Sequence, residues 1–230
     1  MASSATILCY HKVGPESEEG RRLNIEPERL ESHVRFFARR GRPFLLPRDL
    51  GGLWPIGPVC LTFDDAYLST MLHAPEILER NGARGAFYAV SGKVGGSSDW
   101  DGTAARPLAG WDLLIDAQSR GHEIGNHTRS HPHLDDLAPE DQRREVDEAH
   151  ADLVEHGIQS RSFCYPYGGL NDAAVEAVGL AGYQVGLALR KKAATTDENR
   201  LALSRVVVAF SDSLPLLLYR LHVRPWLRRR

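Results

Sequence analysis

Short apolar runs alternate along the chain with longer segments whose apolar residues recur every three to four positions, the pattern of strands and helices taking turns. The runs "TILCYH", "PFLLP", "VCLTFDD", "GAFYAV", "EIGNH", "SFCYPYG", "YQVGLAL" and "LSRVVVAF" predict strands. Between them, "EPERLESHVRFFARRG", "STMLHAPEILERNG", "GWDLLIDAQSRG", "APEDQRREVDEAHADLVEHG" and "NDAAVEAVGLAG" predict helices, the first with Pro27 near its start and Gly41 as its stop. All five of these segments end in glycine, as a left-handed C-terminal cap prefers. The order is that of an α/β fold with mostly parallel strands.

Several of these strands end in polar or ionisable residues: His11 after the first, Asp64 and Asp65 after the third, His127 after the fifth and Tyr167 after the sixth. In a (β/α) barrel the strand ends of one sense gather at one face, where sites are built, so residues remote in sequence are expected to converge there. The glycine-rich stretch "SGKVGGSSDWDGTAARPLAG" reads as a loop over that face. Its Trp100 is a candidate pocket wall in contact with substrate, or a cover for loop backbone.

Composition narrows the class. With 230 residues, 42% of them hydrophobic and 25% charged, the chain has enough apolar material for one large core, and one domain is expected over 1–230. A net charge of -2 supplies no concentrated basic surface for nucleic acid. The basic tail "LYRLHVRPWLRRR" has the makings of a contact with an anionic membrane, but is read as a docked helix, about 213–230, with a solvated basic end. Three cysteines inside apolar runs read as small buried hydrophobes, not as a disulfide framework. With no signal-peptide pattern and no run long enough to span a bilayer, the expectation is a cytoplasmic chain, or an extracellular one if a leader has been trimmed.

The chemistry starts from "EIGNHTRSHPHL", which places His127 and His131 four residues apart, a spacing that lets both imidazoles reach one ion. Two histidines do not make a site. The adjacent carboxylates of "CLTFDDAY" supply the missing ligand, because two aspartates ending an apolar strand lose hydration unless something positive faces them. With Asp65 joining His127 and His131, three protein ligands leave positions open for water and substrate, the arrangement of a catalytic metal. Asp64 is then free to act as a base.

"TFDD", "HTRSHP" and "YPYG", in this order and at these separations, resemble the first three motifs of the polysaccharide deacetylases, the NodB-homology domains or family 4 carbohydrate esterases. "YHKVG" and "LSRVVV" resemble the branch that includes the poly-N-acetylglucosamine deacetylases, and the likeness runs from about residue 8 to about 210. The resemblance implies a distorted, incomplete (β/α) barrel, akin to the TIM barrel. It also implies metal-dependent removal of an N-acetyl group from an amino sugar, giving acetate and a free amine. It casts Asp64 as the general base, Asp65, His127 and His131 as ligands of a divalent ion, and the Tyr167 backbone N–H as a donor to the oxyanion, with Tyr167 also touching the sugar. The ion implied is most often zinc, with cobalt or nickel compatible with two nitrogens and one oxygen.

Departures from the family pattern carry their own expectations. Where many members place an arginine before the Pro-Tyr-Gly region, this chain has Cys164 and Tyr165, and Arg205 on a later strand is expected to take over by pairing with Asp64. Ala66 stands where glycine is common and is expected to narrow the turn. The last family motif, Leu-x-His, is not reproduced, since His222 follows Arg220 and Leu221. The proton given to the leaving amine then falls to His11 or to Asp64 itself, with His222 a lesser candidate. His133 reads as a residue near the surface and not as a fourth ligand. Two other functions fit the same residues: a deacetylase or deformylase of a sugar nucleotide, glycolipid or antibiotic precursor, and a carbohydrate-binding barrel without catalysis.

Overall fold

The computed structural model describes residues 3–52 and 54–224. Seven parallel strands form a closed ring: β1 (Ser4–Tyr10), β2 (Val59–Phe63), β3 (Gly85–Ala89), β4 (Glu123–Asn126), β5 (Ser162–Cys164), β6 (Val185–Leu189) and β7 (Leu203–Val207). Each pairs with the next, and β7 returns to β1 with Leu8 beside Val206 and Cys9 beside Val207. The ring is therefore a (β/α) barrel with seven strands in place of eight.

Both faces of these strands are buried, which is why they read as continuous apolar runs. Alternation along each strand still sorts them. Ala5, Ile7, Cys60, Ala86, Cys164, Leu187 and Leu203 pack together inside the ring, while Leu8, Leu61, Phe63, Phe87 and Ile124 pack outward under the helices. Leu50 and Trp54 join the inner cluster, and the Trp54 indole N–H donates to the Leu50 carbonyl at 2.9 Å.

Five helices cover the outside: α1 (Pro27–Arg39), α2 (Leu68–Arg80), α3 (Trp111–Ser119), α4 (Pro139–Glu155) and α5 (Asp172–Leu180). All five end the same way, since Gly41, Gly82, Gly121, Gly157 and Gly182 each adopt positive φ one residue beyond the cap. No α-helix intervenes between β6 and β7, whose connection holds the short strand Ala194–Thr195, antiparallel to the start of β1, and a 3-10 turn at Arg200–Ala202.

One expected strand is absent. "PFLLP" makes a single bridge, Phe44 to Val59, and then turns into a 3-10 helix at Pro47–Gly51. Two prolines four residues apart remove the donors a longer ladder needs. The helix expected at about 213–230 begins as α6 (Leu214–Leu218) and continues as a π-helical turn to Val223, and the tail with Trp226 and the last three arginines lies outside the described residues. Among the described residues no helix is long and apolar enough to cross a membrane.

His33 on α1 is wholly buried, with Nδ1 3.2 Å from the Tyr10 hydroxyl. Burial lowers its imidazole from 6.5 to about 4. The folded value lies below the unfolded one, so the contribution to stability is whole above 6.5 and is lost as pH falls through 4. That loss amounts to at most about 3 kcal/mol. His33→Gln should flatten the fall in melting temperature between pH 7 and pH 4, and parallel curves for parent and variant would count against His33 as the source.

Candidate active site

The upper rim of the barrel is built at the ends of β1, β2, β4, β5 and β7. On β2 the inward positions are Cys60, Thr62 and Asp64, so the strand period that buries Cys60 also aims the Asp64 carboxylate into the barrel mouth. The Asp64 N–H extends the ladder by donating to the Tyr10 carbonyl at 2.9 Å. The chain then turns sharply, with Asp65 at φ 70° and Ala66 at φ 50°. The turn expected at Ala66 is thus made in a left-handed conformation that glycine would adopt without strain.

Arg205, inward on β7 and wholly buried, grips Asp64 with both arms of its guanidinium: Nη1 to Oδ1 at 2.7 Å and Nη2 to Oδ2 at 2.8 Å. Nη1 also donates to Thr62 Oγ1 at 3.0 Å, and Nη2 lies 2.9 Å from Cys164 Sγ. A small thiol at position 164 leaves room for a guanidinium arriving from the opposite side. Cys9 Sγ donates to Asp64 Oδ2 at 3.3 Å, and His11 Nε2 stands 4.0 Å from the same oxygen. Of the three cysteines only Cys60 acts purely as a buried hydrophobe, because Cys9 and Cys164 touch this ion pair. Burial alone would push the Asp64 carboxyl up, but the Arg205 guanidinium holds it well below the usual carboxylate range.

Asp65, His127 and His131 converge beside that pair. Asp65 Oδ1 lies 3.4 Å from His127 Nε2 and 3.2 Å from His131 Nε2. The His127 Nδ1–H donates to the Cys164 carbonyl at 2.7 Å, which leaves Nε2 with its lone pair toward Asp65. Burial raises the Asp65 carboxyl, and the closeness of the two imidazoles overrides it and brings the group well below its ordinary value. Burial lowers both imidazoles; Asp65 turns the shift upward for His127 and does not for His131.

A cation fits this trio on the evidence of the donor set. Asp65 Oδ1 is buried without a hydrogen-bond partner among the described residues, and the three ligand atoms lie within 4.8 Å of one another. Two further groups of donors, Cys9 with His11 and Asp64, and Asp64 with His127 and Cys164, both depend on a carboxylate that Arg205 already occupies.

These residues open into a cavity of about 220 Å³. His11, Trp100 and Tyr167 line it together with Tyr67, Asp101 and Leu23. Trp100 reaches it from the loop after β3, where 3-10 turns at Ser91–Lys93 and Asp99–Ala104 give the expected glycine-rich loop a defined path. Tyr167 has φ 58° and its N–H donates to no group among the described residues. Its ring stacks on His133, which is exposed and no part of the ligand trio. His222 sits exposed on the turn after α6 and does not line the cavity. Thr62, Cys9, Tyr67 and Asp101 are members of the site that sequence reading missed; only Thr62, two residues before Asp64 on one strand, carried a signal that could have found it.

Left-handed backbone marks the same rim. Asp65, Ala66, Thr128, His131 and Tyr167 all have positive φ without being glycine, a strain that persists where surrounding structure fixes the geometry of a site. The family pattern described as polysaccharide deacetylase matches residues 55–186, more than half of the chain and the span that carries Asp64, Asp65, His127, His131 and Tyr167. The chain belongs to the polysaccharide deacetylase family.

The chain is similar to the Bacillus subtilis protein YxkH, which carries the same family name, at 25% identity over 211 residues covering 88% of this chain and 71% of that protein. Among solved structures it is similar to IcaB from Ammonifex degensii, with a TM-score of 0.80 and 26% identity over 94% of this chain and 95% of the other. The Streptococcus pyogenes deacetylase PplD, solved in complex with acetate, shares the fold with a TM-score of 0.82 at 22% identity, covering 96% of this chain and all of PplD. The seven-stranded parallel barrel with helices outside is the NodB-type fold of these deacetylases.

Proposed function

We propose that this deacetylase hydrolyses the N-acetyl group of an N-acetylglucosamine-type polysaccharide or glycoconjugate, using a divalent metal ion held by Asp65, His127 and His131. The observation that carries the reading is the pairing within one cavity of that trio with a carboxylate, Asp64, which Arg205 keeps ionised. The likeness to IcaB supports a place in the same branch.

Bound by the trio, a divalent ion would supply a Lewis acid, with zinc the first expectation and cobalt or nickel compatible with the same donors. The rest falls to the chain. Asp64 is ionised but only weakly basic beside Arg205, so it can take a proton only from water that has been made acidic. As the water oxygen bonds to the acetamide carbon, Asp64 holds the released proton. The Tyr167 N–H, without another partner among the described residues, donates to the oxyanion that develops, a contact of a kind typically worth roughly 3 kcal/mol. Breaking the C–N bond requires a proton on the nitrogen. His11 lines the cavity 4.0 Å from Asp64 and is placed to give it, with Asp64 returning its own proton as the other route. Acetate and a free amino sugar leave. Trp100 and the Tyr167 ring flank the cavity where the sugar would lie.

The direct test is acetate release from chitooligosaccharides, poly-N-acetylglucosamine fragments, peptidoglycan fragments and UDP-N-acetylglucosamine, before and after chelation. Release from oligosaccharides that stops with chelation and returns with zinc is expected. No release from any substrate, or release indifferent to chelation, would refute the proposal, and a preference for the nucleotide would shift it to a small substrate. Within the same assay, His11→Gln should lose the alkaline limb of the kcat/KM profile while His222→Gln keeps it. An unchanged alkaline limb in His11→Gln would leave Asp64 as the proton carrier.

A further inference from the structure

The two histidines of the trio are held by different means. His127 has the support usual for a metal-binding imidazole, its second nitrogen donating to the Cys164 carbonyl. His131 has none: its Nδ1 is buried and has no hydrogen-bond partner among the described residues. Its backbone is fixed, with φ 63° and the N–H donating to Thr128 Oγ1 at 3.1 Å, but no hydrogen bond at Nδ1 among the described residues sets the rotation of the ring.

Aromatic rings enclose it instead. Trp100 stacks on one face with ring centres 4.2 Å apart and planes 24° from parallel, and Tyr167 meets it edge-on at 4.6 Å and 64°. Trp100 is itself tied down. Its neighbour Asp101 accepts from the Tyr67 hydroxyl at 2.7 Å, and Tyr67 lies two residues beyond Asp65. Backbone bonds from Ala109 to Ala66 and from Leu68 to Pro107 fasten the same loop to the same turn. The loop over the site and the turn that presents Asp65 are thus one fastened unit.

We infer that Trp100 is a positioning residue for the metal centre. It clamps the His131 ring with Nε2 toward Asp65 Oδ1, where a hydrogen bond would otherwise do so, and the Tyr67–Asp101 contact keeps Trp100 in place. This rests on the trio binding a metal. It differs from the simpler role of Trp100 as a sugar-facing wall, which would affect substrate binding and leave the ion alone.

The experiment is a competition titration of zinc, and separately of cobalt, against a chromophoric chelator, using the full chain and four variants. Loss of an outer support to a metal ligand typically weakens affinity about 10- to 100-fold, and that loss is expected for Trp100→Ala. Trp100→Phe should recover most of it by restoring a flat ring, and Tyr67→Phe should fall between parent and Trp100→Ala. Melting curves of the metal-free proteins, unchanged between parent and Trp100→Phe, confirm that the comparison is between folded chains. At saturating metal Trp100→Ala should regain most of its kcat. Parental metal affinity in Trp100→Ala with only KM raised would overturn the inference and return Trp100 to a wall for the sugar. His131→Ala with undiminished affinity would overturn more, since the ion would then not be bound by the trio at all.

Discussion

Asp64→Asn should reduce acetate release by about 10² to 10⁴ while metal content stays near that of the parent. The substitution keeps the shape of the side chain and removes its capacity to take a proton. Asp65→Ala, His127→Ala and His131→Ala should behave differently, losing metal and activity together, because each removes one of the three proposed protein ligands. The contrast between neighbouring residues is the decisive part. Asp64 and Asp65 share one turn, yet the left-handed backbone at Asp65 sends their carboxylates to different partners, Arg205 for one and two imidazoles for the other. Metal analysis beside an acetate assay separates the two roles. Full metal content in all three alanine variants would undo the ligand assignment, and retained activity in Asp64→Asn would mean that another group deprotonates the water.

Arg205→Met is expected to lower both turnover and stability. Breaking a buried ion pair from one side leaves a charge without compensation, at a cost of roughly 3–5 kcal/mol. Asp64 is then the exposed liability, since burial pushes its carboxyl up and Arg205 is the main influence pulling it down. The sign for activity follows. The base works ionised, so the rate rises as pH passes its pKa; removing Arg205 raises that pKa, and the acidic limb of kcat/KM should move to higher pH. Arg205→Lys should restore charge without the two-armed grip and give an intermediate profile. Asp64→Asn combined with Arg205→Met should be more stable than Arg205→Met alone, because no unpaired carboxylate remains. An acidic limb that stays in place in both single variants would make Arg205 a purely structural residue.

Much of this was legible because the barrel writes its geometry into strand periodicity. Cys60, Thr62 and Asp64 alternate with Leu61 and Phe63, so an apolar run that ends in an aspartate delivers that aspartate to the mouth of the ring. Strand ends likewise placed His11 and His127 at the rim, while it was the family pattern, with no arginine before Pro-Tyr-Gly here, that led to matching Arg205 with Asp64 across 141 residues. "PFLLP" misled because its composition suits a strand while its prolines deny it donors. Cys9 and Cys164 looked inert because an apolar run conceals which of its members face an ion pair. The support of His131 by Trp100, and of Trp100 by Tyr67 through Asp101, left no trace in periodicity. Such contacts depend on the path of a loop, which is set by backbone bonds to a distant turn and by no local pattern.

The closure of β7 onto β1 has a consequence for how the protein comes into being. Leu8 and Val206 are neighbours across the seam, and Asp64 meets its counter-ion only through the strand that closes it. During synthesis the first six strands emerge while Asp64 still lacks Arg205, and a half-built ring that collapsed early would trap a bare carboxylate in its interior. That penalty disfavours premature compaction and defers the last folding step until residue 205 has left the ribosome. Contacts of such long sequence separation form slowly. Acetate release by a newly made chain would accordingly lag behind the appearance of its helices, and the interval between the two signals would time the closing of the barrel.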